Sequence, residues 1–270
     1  MRPSMIARLK TKQPALVCML DDVRYPDECI AIMRNAVYDG ADAFYIHLDH
    51  LDPGCWNPAD LRKIFDYAGD KPVIALFYRR KKLPLYTDDE LLEVLFMAVE
   101  AGASMCDVMG DIFDPSPRQL SLKPEIVDRQ KRLIDKIHAM GAEVLMSSHT
   151  GDFMTAEETI AHARAMESRG ADMIKIVVSS QSEEEMYEAF RITTLMKREL
   201  KVPFLHICGG QSGKLHRAIA PLFGSSMVLC VQAYTSGSSR EQTLLRATRA
   251  VYDNLDRTVA RSAVSQRADS

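Results

Sequence analysis

Eight short apolar runs alternate along the chain with longer stretches that have helical spacing of apolar positions. The runs are rich in β-branched and other apolar residues, which is typical of strands buried on both faces. They lie at 14–20, 43–48, 72–78, 105–109, 144–149, 173–178, 203–208 and 227–231. The helical stretches lie at 26–38, 60–67, 87–101, 124–140, 155–169, 182–200, 213–223 and 239–255. Strands that alternate with helices predict a parallel sheet.

The number and spacing of these units define the expected architecture. Eight strand–helix units over about 250 residues predict an α/β fold, a (β/α)8 TIM barrel that forms a single domain over residues 1–258. The polar C-terminal tail at 259–270 is expected to fray. The alternative is a doubly wound open sheet, but no Gly-x-Gly-x-x-Gly motif follows the first strand.

Composition narrows the class of protein. The formal net charge is -3 and no basic stripe appears, so no nucleic-acid partner is expected. No apolar run approaches the ~18–20 residues of a membrane span, and the short run at 15–20 predicts no secretory leader. Six cysteines are scattered without a Cys-x-x-Cys spacing. They are interpreted as buried free thiols, which favours a cytoplasmic protein and disfavours a zinc cluster.

Chemistry in a barrel of this kind belongs at the C-terminal ends of the strands. The residues predicted there are His47, Asp49, Tyr78, Arg79, Met109, Asp111, Ser147, His149, Lys175, His206, Cys208 and Gln232.

Lys175 is the most informative of these residues because it lies inside an apolar strand. Burial of an amine is costly unless it is paired or neutral, and burial lowers its pKa, as a Schiff-base-forming amine requires. His149 ends the preceding strand, so both side chains are expected at the same end of the sheet as a nucleophile and an acid–base group. The alternative is a lysine that extends to solvent and a histidine that fills a polar niche.

A glycine-rich loop, 209–213, follows the seventh strand and precedes a helix. Its backbone amides could bind an anion, and Arg217 on that helix could point back at a carboxylate. The alternative interpretation of the loop is a tight turn.

Four motifs in the second half of the chain resemble those of the type I 3-dehydroquinate dehydratase family. They are Ser147-Ser148-His149, Gly170-Ala171-Asp172-Met173-Ile174-Lys175, Gly210-Gln211-Ser212-Gly213-Lys214-Leu215-His216-Arg217 and Ser238-Ser239-Arg240-Glu241-Gln242. The likeness follows the order of elements through almost the whole chain.

The resemblance implies a hydro-lyase that acts on a small carboxylated β-hydroxy ketone. Lys175 would form an iminium with the ketone, and His149 would remove the α-proton and then protonate the departing β-hydroxyl. Arg217, Ser238 and Gln242 would hold the substrate carboxylate. The resemblance also implies a homodimer and no metal or organic cofactor.

Several positions depart from the family pattern, in the half of the site that contacts the ring hydroxyls. The family has Glu and Arg where this chain has Tyr45 and His47, an arginine where it has Tyr78, and an acidic residue where it has Met109. These four residues are therefore expected to line an altered substrate-binding wall and to change the substrate specificity of the protein. Arg79 and Arg80 could restore the missing guanidinium, and Thr150-Gly151 is an insertion directly after His149.

Two further functions remain open on the sequence. One is a metal-dependent lyase or isomerase of the same fold that uses His47, Asp49 and His206, with His149 near them, because His/Asp sets bind divalent metals. The other is a non-catalytic barrel that binds a ligand, although neither His149 nor Lys175 is needed for binding.

Overall fold

The computed structural model describes residues 2–79, 86–210 and 213–255, so the tail at 259–270 lies outside the described residues. The strands are β1 (Ala15–Leu20), β2 (Ala43–His47), β3 (Val73–Leu76), β4 (Met105–Met109), β5 (Glu143–His149), β6 (Met173–Ser180), β7 (Phe204–Gly210), β8 (Met227–Val231) and β9 (Thr243–Leu244). The helices are α1 (Met5–Thr11), α2 (Pro26–Tyr38), α3 (Pro58–Tyr67), α4 (Asp88–Ala101), α5 (Pro124–Ala139), α6 (Ala156–Glu167), α7 (Glu183–Glu199), α8 (Gly213–Ile219) and α9 (Leu245–Asp253).

The strands form one curled parallel sheet in the order β7-β6-β5-β4-β3-β2-β1-β8-β9. β7 and β8 meet at the seam of this sheet. Ser226 donates its backbone N–H to the carbonyl of Phe204 at 2.7 Å, and the hydroxyls of Ser226 and Ser225 accept the N–H groups of Phe204 and His206 at 3.2 and 3.1 Å. The expected parallel α/β barrel is therefore confirmed.

Local signals explain where several helices begin. Thr87 with Glu90 and Thr155 with Glu158 form capping boxes at the starts of α4 and α6, which satisfy backbone N–H groups that have no partner within the helix. The predicted closing helix at 239–255 begins only at Leu245, because the polar residues before it form a loop and the short strand β9. Helix α1 was not predicted.

The apolar core has two layers, which follow the alternation of side chains along each strand. The inner layer fills the barrel and includes Val17, Ile74, Leu145 and Leu229, while the outer layer lies between the sheet and the helices. Met5 of α1 belongs to the inner layer, so this helix covers one end of the barrel. Among the described residues, no helix is long and apolar enough to span a membrane.

Three histidines outside the barrel have neutral rings, of which His206 and His216 are buried and His162 is half-buried. His162 Nε2 lies 2.8 Å from the Ser148 hydroxyl, which itself donates to a backbone carbonyl and so must accept from the ring. Burial lowers the pKa of His162 and of His216 to about 4, and burial lowers the pKa of His206 well below its usual value.

Acid should therefore destabilise the fold as these histidines take up protons on unfolding. Because each folded pKa is lowered, the unfolded chain binds more protons at pH values between the folded pKa and the ordinary value of ~6.5, and the free energy of unfolding falls as the pH falls through that window. For His162 and His216 the window reaches down to about 4. His162→Gln keeps a donor to Ser148 and removes the titration. We expect its unfolding free energy, measured in urea, to fall less steeply, by roughly 1.4 kcal/mol per pH unit. A slope equal to that of the wild type would contradict this assignment.

Candidate active site

Lys175 lies inside the barrel at the centre of a polar cluster. It is level with Ser147 in the pairing of β5 and β6, and only 4% of its surface is exposed. Its amine donates to the hydroxyls of Tyr78 and Tyr45 at 2.8 and 3.1 Å and to the Asp107 carboxylate at 3.3 Å. An ammonium has three donors, and each has an acceptor here. The lysine is therefore buried and held in one position instead of extending to solvent.

Asp107 is the counterion of this lysine, and the sequence interpretation did not find it. Its carboxylate accepts hydrogen bonds from the hydroxyls of Tyr45, Tyr78 and Ser147, the second at 2.7 Å. Burial acts to raise the pKa of Asp107, but the Lys175 ammonium and the three hydroxyl donors outweigh it, so the pKa lies below its ordinary value. Asp107 is therefore ionised, and it fixes the lysine and both tyrosines.

Two opposing effects set the charge state of Lys175, namely its burial and the nearby Asp107 carboxylate. Burial lowers its pKa, the Asp107 carboxylate opposes the change, and the Arg217 guanidinium adds to the lowering. The net pKa is below that of an ordinary lysine. A lowered pKa increases the fraction of neutral amine, which is the nucleophilic form.

His149 is held by Gln119, a second residue that the sequence interpretation missed. The Gln119 amide oxygen accepts the backbone N–H of His149 at 2.8 Å and lies 3.1 Å from His149 Nδ1. Only an oxygen can accept the backbone N–H, so this atom also accepts from the ring, and Nδ1 must carry the proton. The lone pair of the imidazole is then on Nε2, as a general base requires.

The His149 ring is neutral and packs against Tyr78. Burial, with a further contribution from the Lys175 ammonium, lowers the His149 pKa to about 3. The Tyr78 ring meets it edge-on with centroids 5.0 Å apart. The inserted Thr150 continues the backbone pairing by donating to Val177 at 2.9 Å, and Gly151 turns the chain with a φ of 77°. The insertion therefore leaves His149 in register with its strand.

The four residues predicted to form the substrate wall occupy different places. Tyr45 is fully buried, and its hydroxyl donates to the Asp107 carboxylate and accepts from the Lys175 amine. Tyr78 contacts Lys175 and also lines a cavity. His47 lies edge-on to Tyr78 with centroids 6.2 Å apart. Met109 is buried, pairs with Ser147 in the sheet, and packs with the outer apolar layer.

That cavity has a volume of about 590 Å³ and reaches the lysine cluster through Tyr78, whereas Lys175 itself does not line it. Three aromatic rings form one wall, with centroid distances of 5.0 to 5.8 Å between Trp56, Phe77 and Tyr86. Asp22, Asp49, His50 and Arg79 are among the polar residues that line it. Space for a substrate therefore exists next to Tyr78, between an aromatic wall and a polar one.

Arg79 does not replace the missing guanidinium of the family. It donates to both carboxylate oxygens of Asp88 at 2.5 and 3.0 Å, and to the side chain and the carbonyl of Asp111 at 3.1 and 2.7 Å. These four contacts use its donor fork within the protein. Arg80 lies outside the described residues.

Arg217 lies in α8 beside the loop after β7, as expected, and it contacts a protein carboxylate. Its guanidinium is 3.3 and 3.4 Å from Glu241 Oε2. Gln242 is buried, and its amide oxygen has no hydrogen-bond partner among the described residues. Ser238 interacts with Thr235 in the same loop. Gln211 and Ser212, which belong to the predicted glycine-rich loop, lie outside the described residues.

The predicted metal set is wrong in one member. His206 faces the outer layer and bonds Thr193 at 2.8 Å, because alternation in β7 places its neighbour Leu205 in the barrel. His47 and Asp49 instead lie with His50, with candidate ligand atoms within 4.8 Å of one another. His50 Nδ1 accepts the backbone N–H of Asp22 at 3.2 Å, so its proton is on Nε2 and no lone pair faces the group. This geometry disfavours a metal centre here.

A parallel barrel with a buried lysine of lowered pKa inside it is the arrangement of a lysine Schiff-base enzyme. The family model described as Type I 3-dehydroquinase matches residues 22–257, and the chain belongs to that family. Enzymes of this family are hydro-lyases that act through a Schiff-base lysine. The family expected from the sequence is therefore confirmed.

One relative in sequence supports the family assignment, and two solved structures share the fold. The 3-dehydroquinate dehydratase of Klebsiella pneumoniae subsp. pneumoniae is 35% identical over 214 residues, which cover 78% of this chain and 82% of that protein. A solved type I 3-dehydroquinate dehydratase of Clostridium difficile with covalent modified comenic acid has a TM-score of 0.74 at 17% identity and covers 90% of this chain and 92% of its own. The 3-dehydroquinate dehydratase of Geobacillus kaustophilus has a TM-score of 0.72 at 17% identity, with coverage of 88% and 90%.

Proposed function

We propose that this chain eliminates water from a carboxylated β-hydroxy ketone through an imine on Lys175. The observation that carries the proposal is the buried amine of Lys175, which is fixed by Asp107 and two tyrosines and has a lowered pKa. The experiment that tests it is borohydride reduction during turnover of candidate keto acids, followed by peptide mass analysis. The mass of the reduced substrate should be found on Lys175.

The proposed steps use three groups of this chain. The neutral Lys175 amine adds to the ketone, and the carbinolamine takes up a proton from solvent and loses water to give the iminium. His149 Nε2 takes the α-proton, and the electron pair moves into the iminium to form an enamine. The resulting imidazolium returns this proton to the β-hydroxyl, which leaves as water, and hydrolysis of the conjugated iminium releases product and amine. Arg217 binds the substrate carboxylate by a charge-assisted pair.

Gln119 should control the rate through His149 without touching the substrate. Gln119→Leu removes the acceptor for Nδ1–H, so the ring is free to adopt the wrong tautomer. We expect kcat to fall by about 10²-fold, within the range for impaired general-base catalysis, while the borohydride-trapped adduct still forms.

Gln119→Glu is the matched control because a carboxylate accepts the same two N–H groups. It should retain most of kcat, and its negative charge should raise the pKa of His149 and shift the acid limb of the pH–rate profile upward. A purely structural role for Gln119 would change stability in both variants and leave the pH profile of Gln119→Glu unshifted.

We also propose that the substrate differs from 3-dehydroquinate in its hydroxyl pattern. The support is the placement of Tyr45, Tyr78 and Arg79, whose polar groups all bind other residues of the protein. The aromatic wall of the cavity favours a ring with fewer hydroxyls.

A cytoplasmic homodimer is proposed on two grounds. The six cysteines are all free and buried, which suits a reducing compartment. The dimer follows from the resemblance to the family. Light scattering after size-exclusion chromatography tests it, and a mass of one chain at micromolar concentration would contradict it.

A further inference from the structure

The carboxylate of Glu241 occupies an anion-binding cradle formed by the loop after β7 and by Arg217. Its Oε2 faces the Arg217 guanidinium at 3.3 and 3.4 Å, and its Oε1 accepts the backbone N–H of Gly210 at 3.0 Å. Glu241 belongs to the loop that follows β8, close in sequence to Ser238 and Gln242. A residue of one loop thus places a carboxylate on the anion-binding groups of another.

The glycines of the cradle fit this carboxylate closely. A Cβ atom at Gly213 would lie 2.8 Å from Glu241 Oε2, and one at Gly209 would lie 3.2 Å from the same oxygen. At Gly210 the φ is 95°, and a Cβ atom there would lie 2.2 Å from the Ser180 carbonyl oxygen, so a side chain is excluded. The backbone therefore leaves space at this point for a carboxylate group.

The contact between Arg217 and Glu241 is nevertheless long for a charge-assisted pair. Such pairs have N···O distances of about 2.7–2.9 Å, and a bidentate arginine uses two parallel bonds to two oxygens. Here both arginine nitrogens approach one oxygen at 3.3 Å or more. The Arg217 side chain is 14% exposed and that of Glu241 is 35% exposed, so the guanidinium is the fixed partner and the carboxylate lies on the open side.

We infer that Glu241 is a built-in competitor for the substrate carboxylate and that it sets the selectivity of this subsite. The inference rests on the proposed function, in which Arg217 binds the carboxylate of the substrate. A substrate must displace Glu241 from Arg217 and from the Gly210 N–H before it can bind. Because Glu241 is tethered, it competes at high effective concentration, and the apparent affinity for the substrate falls by the fraction of sites that it occupies.

This competition selects for acids that use both the guanidinium and the loop amides. A neutral analogue offers nothing to replace the charge of Glu241, so it cannot displace the side chain. A weakly held acid is also excluded, because the free energy that its carboxylate gains on binding does not exceed the free energy lost when the Glu241 carboxylate is displaced. Glu241 is thus a specificity-determining residue for the charge of the ligand, although it takes no part in the proposed proton transfers.

The test measures binding of cyclohexanecarboxylate and of cyclohexanecarboxamide by calorimetry. Neither compound has a ketone, so neither can form an imine, and the result does not depend on Lys175. Glu241→Gln keeps the shape and the acceptor for the Gly210 N–H but removes the charge. We expect it to bind the carboxylate about tenfold more tightly than the wild type, which corresponds to roughly 1.4 kcal/mol, with the carboxamide unchanged.

Glu100→Gln is the matched control because it removes the same charge from an exposed position near the C-terminal end of α4, and it should bind as the wild type does. Glu241→Asp retains the charge but shortens the side chain, so it should tighten binding by a smaller factor. Unchanged or weaker carboxylate binding in a folded Glu241→Gln protein would overturn the inference. Failure to trap an adduct on Lys175 would instead refute the proposed function, so the two failures are distinguishable.

Discussion

Lys175→Met is expected to abolish turnover and the borohydride-trapped adduct together. Methionine fills a similar volume but has no amine, so the covalent step is lost. Removal of a covalent nucleophile lowers kcat by about 10⁴–10⁶-fold. Peptide mass analysis after borohydride treatment checks the adduct, and labelling that persists elsewhere in the variant would mean that another amine forms the imine.

The same substitution should also destabilise the fold, because it leaves the Asp107 carboxylate buried without a cation. Loss of one partner from a buried ion pair costs about 3–5 kcal/mol. The double variant Lys175→Met/Asp107→Asn removes both charges and keeps an acceptor for the tyrosine hydroxyls. We therefore expect urea unfolding to show the double variant to be more stable than Lys175→Met. A double variant of equal or lower stability would mean that the Asp107 charge is not held by the lysine.

Asp107 shows where the sequence interpretation stopped short. The strand β4 was located correctly, but only Met109, two residues after Asp107, was considered as a site residue within it. Asp107 pairs with Leu145, and Lys175 pairs with Ser147 two residues further along β5, yet the two side chains meet at 3.3 Å. This contact depends on the stagger of the strands in the barrel, which no local pattern encodes.

Gln119 and Glu241 were missed for a different reason. Glu241 lies in a loop and Gln119 ends a short 3-10 helix, Pro117–Gln119, and at both positions the side chain depends on the backbone path and has no periodic signal. Gln119 has a φ of 49°, so a left-handed backbone aims its amide at His149. Glu241 lay within a stretch predicted to be helical, although it belongs to the loop before β9. The strands and the position of Lys175 were predictable because burial alone determines them.

His206 shows that a position near the C-terminal part of a strand does not by itself place a residue in the site. The face of the strand on which the residue lies must also be known. His206 lies inside the apolar run at 203–208, and only one face of a strand points into the barrel. The pairing of Lys175 with Leu205 places Leu205 inside, and His206 must then face the helices. Two neighbouring strands read together would have excluded it from the metal set.

The second large effect concerns 3-dehydroquinate, which this protein is expected to turn over poorly. A vicinal diol is best held by a carboxylate acceptor and a guanidinium donor fork. At the corresponding positions, the hydroxyl of the buried Tyr45 donates to Asp107. The Tyr78 hydroxyl donates to Asp107 and accepts from the Lys175 amine. The nearby Arg79 is held by Asp88 and Asp111. The described residues therefore leave no donor fork beside Lys175 for the diol.

The size of this effect follows from the hydroxyls that would lose water without a replacement partner. Each unsatisfied group costs about 1–3 kcal/mol. Two such groups would lower kcat/KM by roughly 30-fold to 2 × 10⁴-fold, at ~1.4 kcal/mol for each factor of ten. The aromatic wall formed by Trp56, Phe77 and Tyr86 adds apolar surface that a polyhydroxylated ring cannot use.

The assay adds 3-dehydroquinate and follows the conjugated enone product by its ultraviolet absorbance. Borohydride trapping under the same conditions separates two causes of a low rate. An adduct on Lys175 with slow turnover would place the defect after imine formation, whereas weak trapping would place it in binding. A ring acid that lacks the diol should give the higher kcat/KM. A kcat/KM for 3-dehydroquinate within tenfold of ~10⁵ M⁻¹s⁻¹, an ordinary value for an enzyme, would contradict altered specificity and would show that the tyrosines hold the diol well enough.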